Sequence, residues 1–219
     1  MTRLTRFYLD NSIFFNCFFL WYFLLSILIF FFPKEEAFLL FNSAHHPFLG
    51  YFFTVVTLFG DGLFVVLVGL VYFFFRSRKL GIAVVATYIG SGLICSLLKR
   101  SFQTYRPGFS LQDHPDFHSV PWLSLAQHNA FPSGHSTSAF ALATALALFG
   151  KDIRLALIAL LLACLTGYSR VYLGQHYWDD VWFGTMLGMG FSCCYYLVFT
   201  YFRENSVSIR TFSPPSFRI

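Results

Sequence analysis

Long apolar runs alternate with short polar connections along the chain. A helix that crosses a bilayer needs about 20 apolar residues. Six runs are close to that length: 13–32, 51–75, 80–98, 133–149, 155–172 and 180–202. The first run is long and lacks a small-x-small cleavage site, so we interpret it as a retained span and not as a signal peptide. The pattern predicts an all-α polytopic membrane protein, with six transmembrane helices in one bundle.

The composition agrees with a membrane protein. Of the 219 residues, 57% are hydrophobic and only 11% are charged, whereas a soluble domain carries about 25% charged residues. A very apolar soluble domain is therefore disfavoured, and we expect one integral membrane domain over residues 1–219. The five cysteines all lie within the predicted spans and lack metal-ligand spacing, which is typical of buried apolar side chains.

The net charge of +5 follows membrane topology and does not indicate a nucleic-acid partner. With six spans, ten basic residues fall on one side, which the positive-inside tendency makes cytoplasmic. These ten are Arg3, Arg6, Arg76, Arg78, Lys79, Lys151, Arg154, Arg203, Arg210 and Arg218. We therefore expect both termini in the cytoplasm and, in a bacterial inner membrane, the opposite face in the periplasm.

Three polar clusters stand at the ends of predicted spans. Odd-numbered spans end outside and even-numbered spans begin outside, so all three clusters meet at one membrane face. The outer loop 99–132, between the third and fourth spans, is long, and such a loop is usually functional. The clusters consist of Lys99, Arg106 and Pro107; of Pro132, Ser133, Gly134 and His135; and of Ser169, Arg170, His176 and Asp180.

The basic residues of these clusters are suited to phosphate binding. Lys99, Arg106 and Arg170 supply positive charge, and arginine can bind phosphate oxygens with two hydrogen bonds. Ser133 precedes a predicted helix, where free amide groups and the helix dipole attract anions. Its hydroxyl can cap the helix, donate to a phosphate, or do both, and Gly134 lets a phosphate approach the backbone closely.

The two histidines are suited to phosphoryl transfer. His176 and Asp180 are four residues apart and share a helix face. The carboxylate can accept the proton of one ring nitrogen and leave the other nitrogen unprotonated as a nucleophile. The remaining task, protonation of the leaving oxygen, then falls to His135.

Together these residues resemble the three-part signature of the type 2 phosphatidic-acid phosphatase (lipid phosphate phosphatase) superfamily, as in a compact six-span bacterial member. The motif region covers residues 99–180 and shows no departure at a signature position. The resemblance implies that His176 becomes phosphorylated, that His135 is the general acid and that Asp180 orients His176. It implies that Lys99, Arg106, Ser133, Gly134 and Arg170 hold the phosphate. It also implies that the reaction needs no metal and no other cofactor.

The remaining features are less specific, and they allow a purely structural as well as a functional interpretation. Asp61, about 15 Å into the second span by helical rise, is a candidate functional carboxylate. Alternatively, it is satisfied by neighbouring hydroxyl groups, or the span starts later in the chain. The loop residues His114, His118 and His128 could suggest a metal, but their irregular spacing favours solvated side chains. Gly184-x-x-x-Gly188 has the spacing of close packing against a neighbouring helix.

We therefore expect a membrane phosphatase that hydrolyses a lipid phosphate or diphosphate through a phosphohistidine, with its active site at the outer leaflet. Undecaprenyl diphosphate, phosphatidylglycerol phosphate, phosphatidic acid and a phosphate of lipid A all fit, and the sequence leaves the oligomeric state open. A lipid phosphotransferase would use the same phosphohistidine. A membrane transporter or a haem carrier with His135 and His176 as ligands is the non-enzymatic alternative. Vanadate-dependent haloperoxidases share the signature, but they are soluble.

Overall fold

A computed structural model describes residues 2–210, with side chains for residues 2–204, and this part of the chain is all-helical. Arg218, one of the ten basic residues above, lies outside it. The helices are α1 (Arg3–Asp10), α2 (Ser12–Phe31), α3 (Lys34–Asn42), α4 (Pro47–Val56), α5 (Gly62–Phe75), α6 (Arg78–Phe102), α7 (Pro107–Ser110), α8 (Gly134–Gly150), α9 (Ile153–Tyr172) and α10 (Trp178–Arg210).

Four of the described helices are long and apolar enough to cross a membrane, namely α2, α6, α9 and α10. A fifth span is formed if α4, its 3₁₀ extension Thr57–Gly60 and α5 are taken as one element, which is bent by 54°. The fourth predicted run, 133–149, corresponds to helix α8. Its 17 residues rise about 25 Å, slightly less than a hydrocarbon core of about 30 Å, and the count of six spans stays a prediction.

Helix α8 is the centre of the bundle. Every residue from Ser136 to Phe149 is buried, and α8 packs against α10, α9 and α6. Alanine, serine and threonine make up much of this helix, and small side chains allow neighbouring helices to approach closely. The hydroxyl groups within it are satisfied locally; Thr144, for example, donates to the carbonyl of Phe140 at 2.8 Å.

Two glycines bring α10 against the first turns of α8. A Cβ atom built on Gly184 would lie 2.6 Å from the carbonyl oxygen of Ser133, and one on Gly188 would lie 2.2 Å from that of Thr137. No larger residue fits at these distances. The packing role predicted for the Gly184–Gly188 spacing therefore has a direct structural counterpart.

The long outer loop is tied down at several points. Asn42, buried at the end of α3, accepts a hydrogen bond from the backbone N–H of His118 at 2.8 Å and donates to the carbonyl of Tyr172 at 3.0 Å. Trp122 donates to the hydroxyl of Thr54 at 3.1 Å and stacks on Tyr51. The loop is thereby held over the outer ends of α3, α4 and α9, beside the polar clusters.

Candidate active site

The start of α8 presents free backbone donors. Ser133 is the N-cap, its hydroxyl accepts from the N–H of Ser136 at 3.3 Å, and the first helical bond runs from Thr137 to the carbonyl of Ser133. The N–H groups of Gly134 and His135 are therefore the ones without a helical acceptor. A Cβ on Gly134 would meet only the sulfur of Cys95, at 4.0 Å, so the Cα side of this residue is open.

The turn that follows α9 carries His176 and fixes it against α10. His176 and Asp180 are almost fully buried, and the imidazole Nδ1 lies 3.2 Å from Asp180 Oδ2. The same carboxylate oxygen accepts from the N–H of Tyr177 at 3.0 Å. This contact orients the ring, and in the Nδ1–H tautomer it leaves Nε2 unprotonated.

Asp180 also connects the first turn of α10 to the N-cap of α8 through its main chain. Its carbonyl oxygen accepts from the N–H of Ser133 at 2.9 Å. The first turn of α10 and the N-cap of α8 are therefore bonded directly, which places His176 and the free amides of α8 in one region of the molecule.

Three basic side chains surround this region, and neutral oxygen atoms hold all three. Lys99 Nζ donates to the carbonyl of Asn129 at 2.6 Å, and Arg106 donates to the carbonyl of His128 at 3.1 Å. Arg170, which is 6% exposed, donates to the hydroxyl of Thr57 at 2.7 Å. Within the described residues, no carboxylate forms an ion pair with any of the three.

Two buried polar atoms in the same region lack hydrogen-bond partners among the described residues. Arg170 Nε and Asp180 Oδ1 are buried and have no hydrogen-bond partner in the part of the chain that the structure describes. Such atoms are rare in proteins and call for an explanation. A bound anion would provide the missing acceptor for Arg170.

The positive charges of the three basic side chains affect both His135 and His176. The charges of Arg106, Arg170 and Lys99 reach both His135 and His176, so the three clusters predicted from sequence lie within electrostatic range of each other. Burial, and then these charges, lower the pKa of His176 well below its ordinary value. His176 is therefore neutral at physiological pH, as a nucleophile requires.

Two residues of this region are absent from the sequence prediction. Gln175 is buried; its side-chain oxygen accepts from Arg106 at 2.9 Å, and its amide donates to the carbonyl of Ser124 at 3.4 Å. Thr57 accepts from Arg170 across 113 residues of sequence. The position of Gln175 directly before His176 is a signal that could have been used, whereas nothing near Thr57 in the sequence points to it.

The side chains of two weaker candidates, Asp61 and His114, make local contacts. Asp61 is the N-cap of α5 and accepts from the N–H of Leu63 at 2.8 Å, at the bend between the two halves of the broken span. The donor of this hydrogen bond is a backbone N–H and not a neighbouring hydroxyl group. His114 lies beside Asp116 in the outer loop. Among the described residues, no group of three or more His, Cys, Asp or Glu side chains could hold a metal ion.

Comparison with known proteins gives consistent matches. The profile of the PAP2 superfamily matches residues 80–204. A lipid A 1-phosphatase of Rhizobium johnstonii is 38% identical over 113 residues, 52% of this chain and 45% of the relative. Phosphatidylglycerophosphatase B of Bacillus subtilis is 30% identical over 156 residues, 65% of this chain and 71% of the relative.

The fold has a counterpart among solved structures. The crystal structure of Aquifex aeolicus LpxE superimposes with a TM-score of 0.64 and 29% sequence identity, and the match covers 76% of this chain and 96% of that one. The chain spans about half the length of the first curated relatives it matches. The region that the PAP2 profile matches includes Lys99, the start of α8 and the His176–Asp180 pair.

Proposed function

This chain belongs to the PAP2 superfamily, and from that premise we propose that it is a membrane phosphatase that hydrolyses a lipid phosphate through a phosphohistidine intermediate. Lys99, Arg106, Arg170, Ser133 and Gly134 bind the phosphate. His176 is the nucleophile, Asp180 orients it and His135 is the general acid. The proposed reaction uses no metal and no other cofactor.

The observation that best supports this proposal is the excess of positive charge in the site. Three cations stand against one carboxylate, Asp180, and the hydrogen-bond partners of the cations are neutral oxygen atoms. The excess of two positive charges matches a phosphate monoester, which carries about −1.5 to −2 at neutral pH. Charge stabilisation of this kind supplies most of the catalysis in phosphoryl transfer.

The proposed roles give the following order of bond changes. His176 Nε2 attacks phosphorus and forms a P–N bond while the P–O bond to the lipid breaks. The departing oxygen takes a proton from His135. A water molecule, deprotonated by the same His135, then attacks phosphorus and breaks the P–N bond, which releases inorganic phosphate and restores both histidines.

The membrane position of the site favours a substrate whose tail lies in lipid and whose phosphate reaches water. The names of the relatives, lipid A 1-phosphatase and phosphatidylglycerophosphatase B, favour an envelope lipid monoester over undecaprenyl diphosphate. We assign the protein to a bacterial inner membrane, with the site on the periplasmic face, because ten basic residues are expected on the opposite side.

The test is phosphate release by the purified protein in detergent from a panel of lipid phosphates, with and without a chelator. We expect chelator-resistant release, inhibition by vanadate, and a radioactive phosphoprotein that is labile to acid when the substrate carries a labelled phosphate. His176→Gln should abolish both release and labelling. Full activity of this variant, or labelling that survives in it, would refute the mechanism.

A further inference from the structure

Helix α3 packs against the segment 176–180, which carries the nucleophile of the proposed reaction. The indole N–H of Trp178 donates to the carbonyl of Ala37 at 3.2 Å. The ring of Phe38 packs edge-on against that of Tyr177, with the ring centroids 5.4 Å apart, and both Ala37 and Phe38 are buried. Helix α3 lies outside the part of the chain that the PAP2 profile matches, so this support is additional to the residues of the signature.

Lys34, in the first turn of α3, places a cation against this segment. Its ammonium nitrogen lies 4.3 Å from the centre of the Tyr177 ring and 3.8 Å from Asp179 Oδ2. The side chains of Lys34 and Asp179 are both partly exposed, and an ion pair of that kind contributes little to stability. The fold therefore gains little from this contact, whereas the charge of Lys34 also reaches the adjacent Asp180.

The carboxylate of Asp180 depends on the charges around it. Its Oδ2 contacts the His176 ring and accepts from the N–H of Tyr177, whereas Oδ1 is buried and has no hydrogen-bond partner among the residues that the structure describes. A nearby cation favours the ionised form of a carboxyl group, and a nearby anion favours the protonated form. Lys34 and Asp179 act on Asp180 in these opposite senses.

The other charged or titratable groups around the His176–Asp180 pair come from the remaining elements of the site. They are Lys99 on α6, Arg106 in the outer loop, Arg170 on α9 and His135 on α8. All four already have a catalytic or phosphate-binding role in the proposed function. Lys34 differs from them because it reaches the pair through Asp179 and Tyr177.

We propose that Lys34 is a positioning residue for the nucleophile, which neutralises Asp179 and keeps Asp180 ionised, so that Asp180 holds the His176 ring for attack. This inference rests on the function proposed above, in which His176 attacks phosphorus. Loss of the Lys34 charge leaves Asp179 uncompensated, and the His176–Asp180 pair then takes up a proton more readily. That proton removes either the carboxylate that orients the ring or the free nitrogen that attacks.

The test is the pH profile of kcat/KM for Lys34→Gln, with the lipid phosphate of the panel above that wild type hydrolyses fastest. The acid limb of this profile reports the essential base of the free enzyme. We expect the limb to move up by about 0.5 pH unit, as for a partly exposed ion pair. On the acid side kcat/KM should fall about threefold, and on the plateau it should stay within about twofold of wild type. The shift should shrink in about 1 M salt, which screens exposed charges.

Three further variants separate this role from other effects of the substitution. Lys34→Arg keeps the charge and should have the wild-type profile. Asp179→Asn in the Lys34→Gln background removes the uncompensated carboxylate and should bring the acid limb back toward wild type. Arg100→Gln removes an exposed cation in the last turn of α6, at the same predicted membrane face, and should leave the limb unchanged.

Several results would overturn the role of Lys34. An unchanged acid limb in Lys34→Gln, or an equal shift in Arg100→Gln, would do so. A loss that is the same at every pH and that Lys34→Arg does not restore would show a purely structural contact. Weaker vanadate inhibition of Lys34→Gln on the plateau would show a direct phosphate ligand. No release by wild type from any lipid of the panel would instead refute the proposed function itself.

Discussion

The hydrogen bond between Thr57 and Arg170 offers a sharp test of how the phosphate site is built. Thr57 is 7% exposed, and its hydroxyl accepts from Arg170 at 2.7 Å. Thr57→Val keeps the shape and removes the acceptor. A hydrogen bond to a charged group contributes about 1.5–3 kcal/mol. If that free energy serves to hold Arg170 against the phosphate, kcat/KM falls by about 10- to 150-fold.

The assay compares kcat/KM for a lipid phosphate, the inhibition constant of vanadate and the apparent Tm in detergent. Thr144→Val is the matched control, because Thr144 is also buried and its hydroxyl donates to the carbonyl of Phe140 in its own helix. We expect weaker vanadate binding and lower kcat/KM in Thr57→Val alone. Kinetic constants within twofold of wild type in Thr57→Val would refute the assigned role of this contact.

Three further outcomes follow from the structure. The lowered pKa of His176 means that the unfolded chain, with a histidine pKa near 6.5, binds a proton that the folded protein does not. Stability should therefore fall as pH drops below about 6.5, by up to about 1.4 kcal/mol per pH unit, and the apparent Tm of His176→Asn should fall less over the same range. Gln175→Leu removes an acceptor of Arg106 and should raise KM by about tenfold or more, since a charge-assisted hydrogen bond is lost. Gly188→Ala places a methyl group against the carbonyl of Thr137 and should destabilise the protein by about 1–3 kcal/mol, read as a lower Tm.

Each of these outcomes has a contrary result. Identical pH dependence of Tm in wild type and His176→Asn would show that this histidine does not titrate as described. An unchanged KM in Gln175→Leu would mean that the main-chain carbonyl of that residue suffices for Arg106. Gly190→Ala is the control for the helix contact, and equal Tm values for the two alanine variants would contradict the packing of α8 on α10.

The helical framework could be read from the sequence because apolar runs of this length have few other structures available in a bilayer. The prediction differs from the structure where local chemistry acts within a run. Run 51–75 is interrupted at Gly60-Asp61-Gly62, where the carboxylate of Asp61 caps a new helix and the chain bends by 54°. The mean hydropathy of a window of residues averages across such a break, and therefore does not detect it.

The candidate site could be predicted only as far as its residues follow short spacings. His176 and Asp180 are four positions apart, and helical geometry alone brings them together. Thr57 lies 113 residues from Arg170 and meets it only because two bundle elements pack side by side. Contacts of that kind depend on the tertiary fold, and one chain contains no local pattern that reports them.

Asp180 has a structural contact through its main chain and a contact with His176 through its side chain, because its carbonyl oxygen accepts from the N–H of Ser133. Because residue 180 anchors the cap of α8 through its carbonyl oxygen, the anchor persists whatever side chain stands there. Asparagine or alanine at this position keeps the main-chain acceptor for Ser133 and changes the side-chain partner of the His176 imidazole and of the Tyr177 N–H. Substitutions at residue 180 would therefore change the side-chain contacts of His176 while the main-chain bond between the two helices is retained.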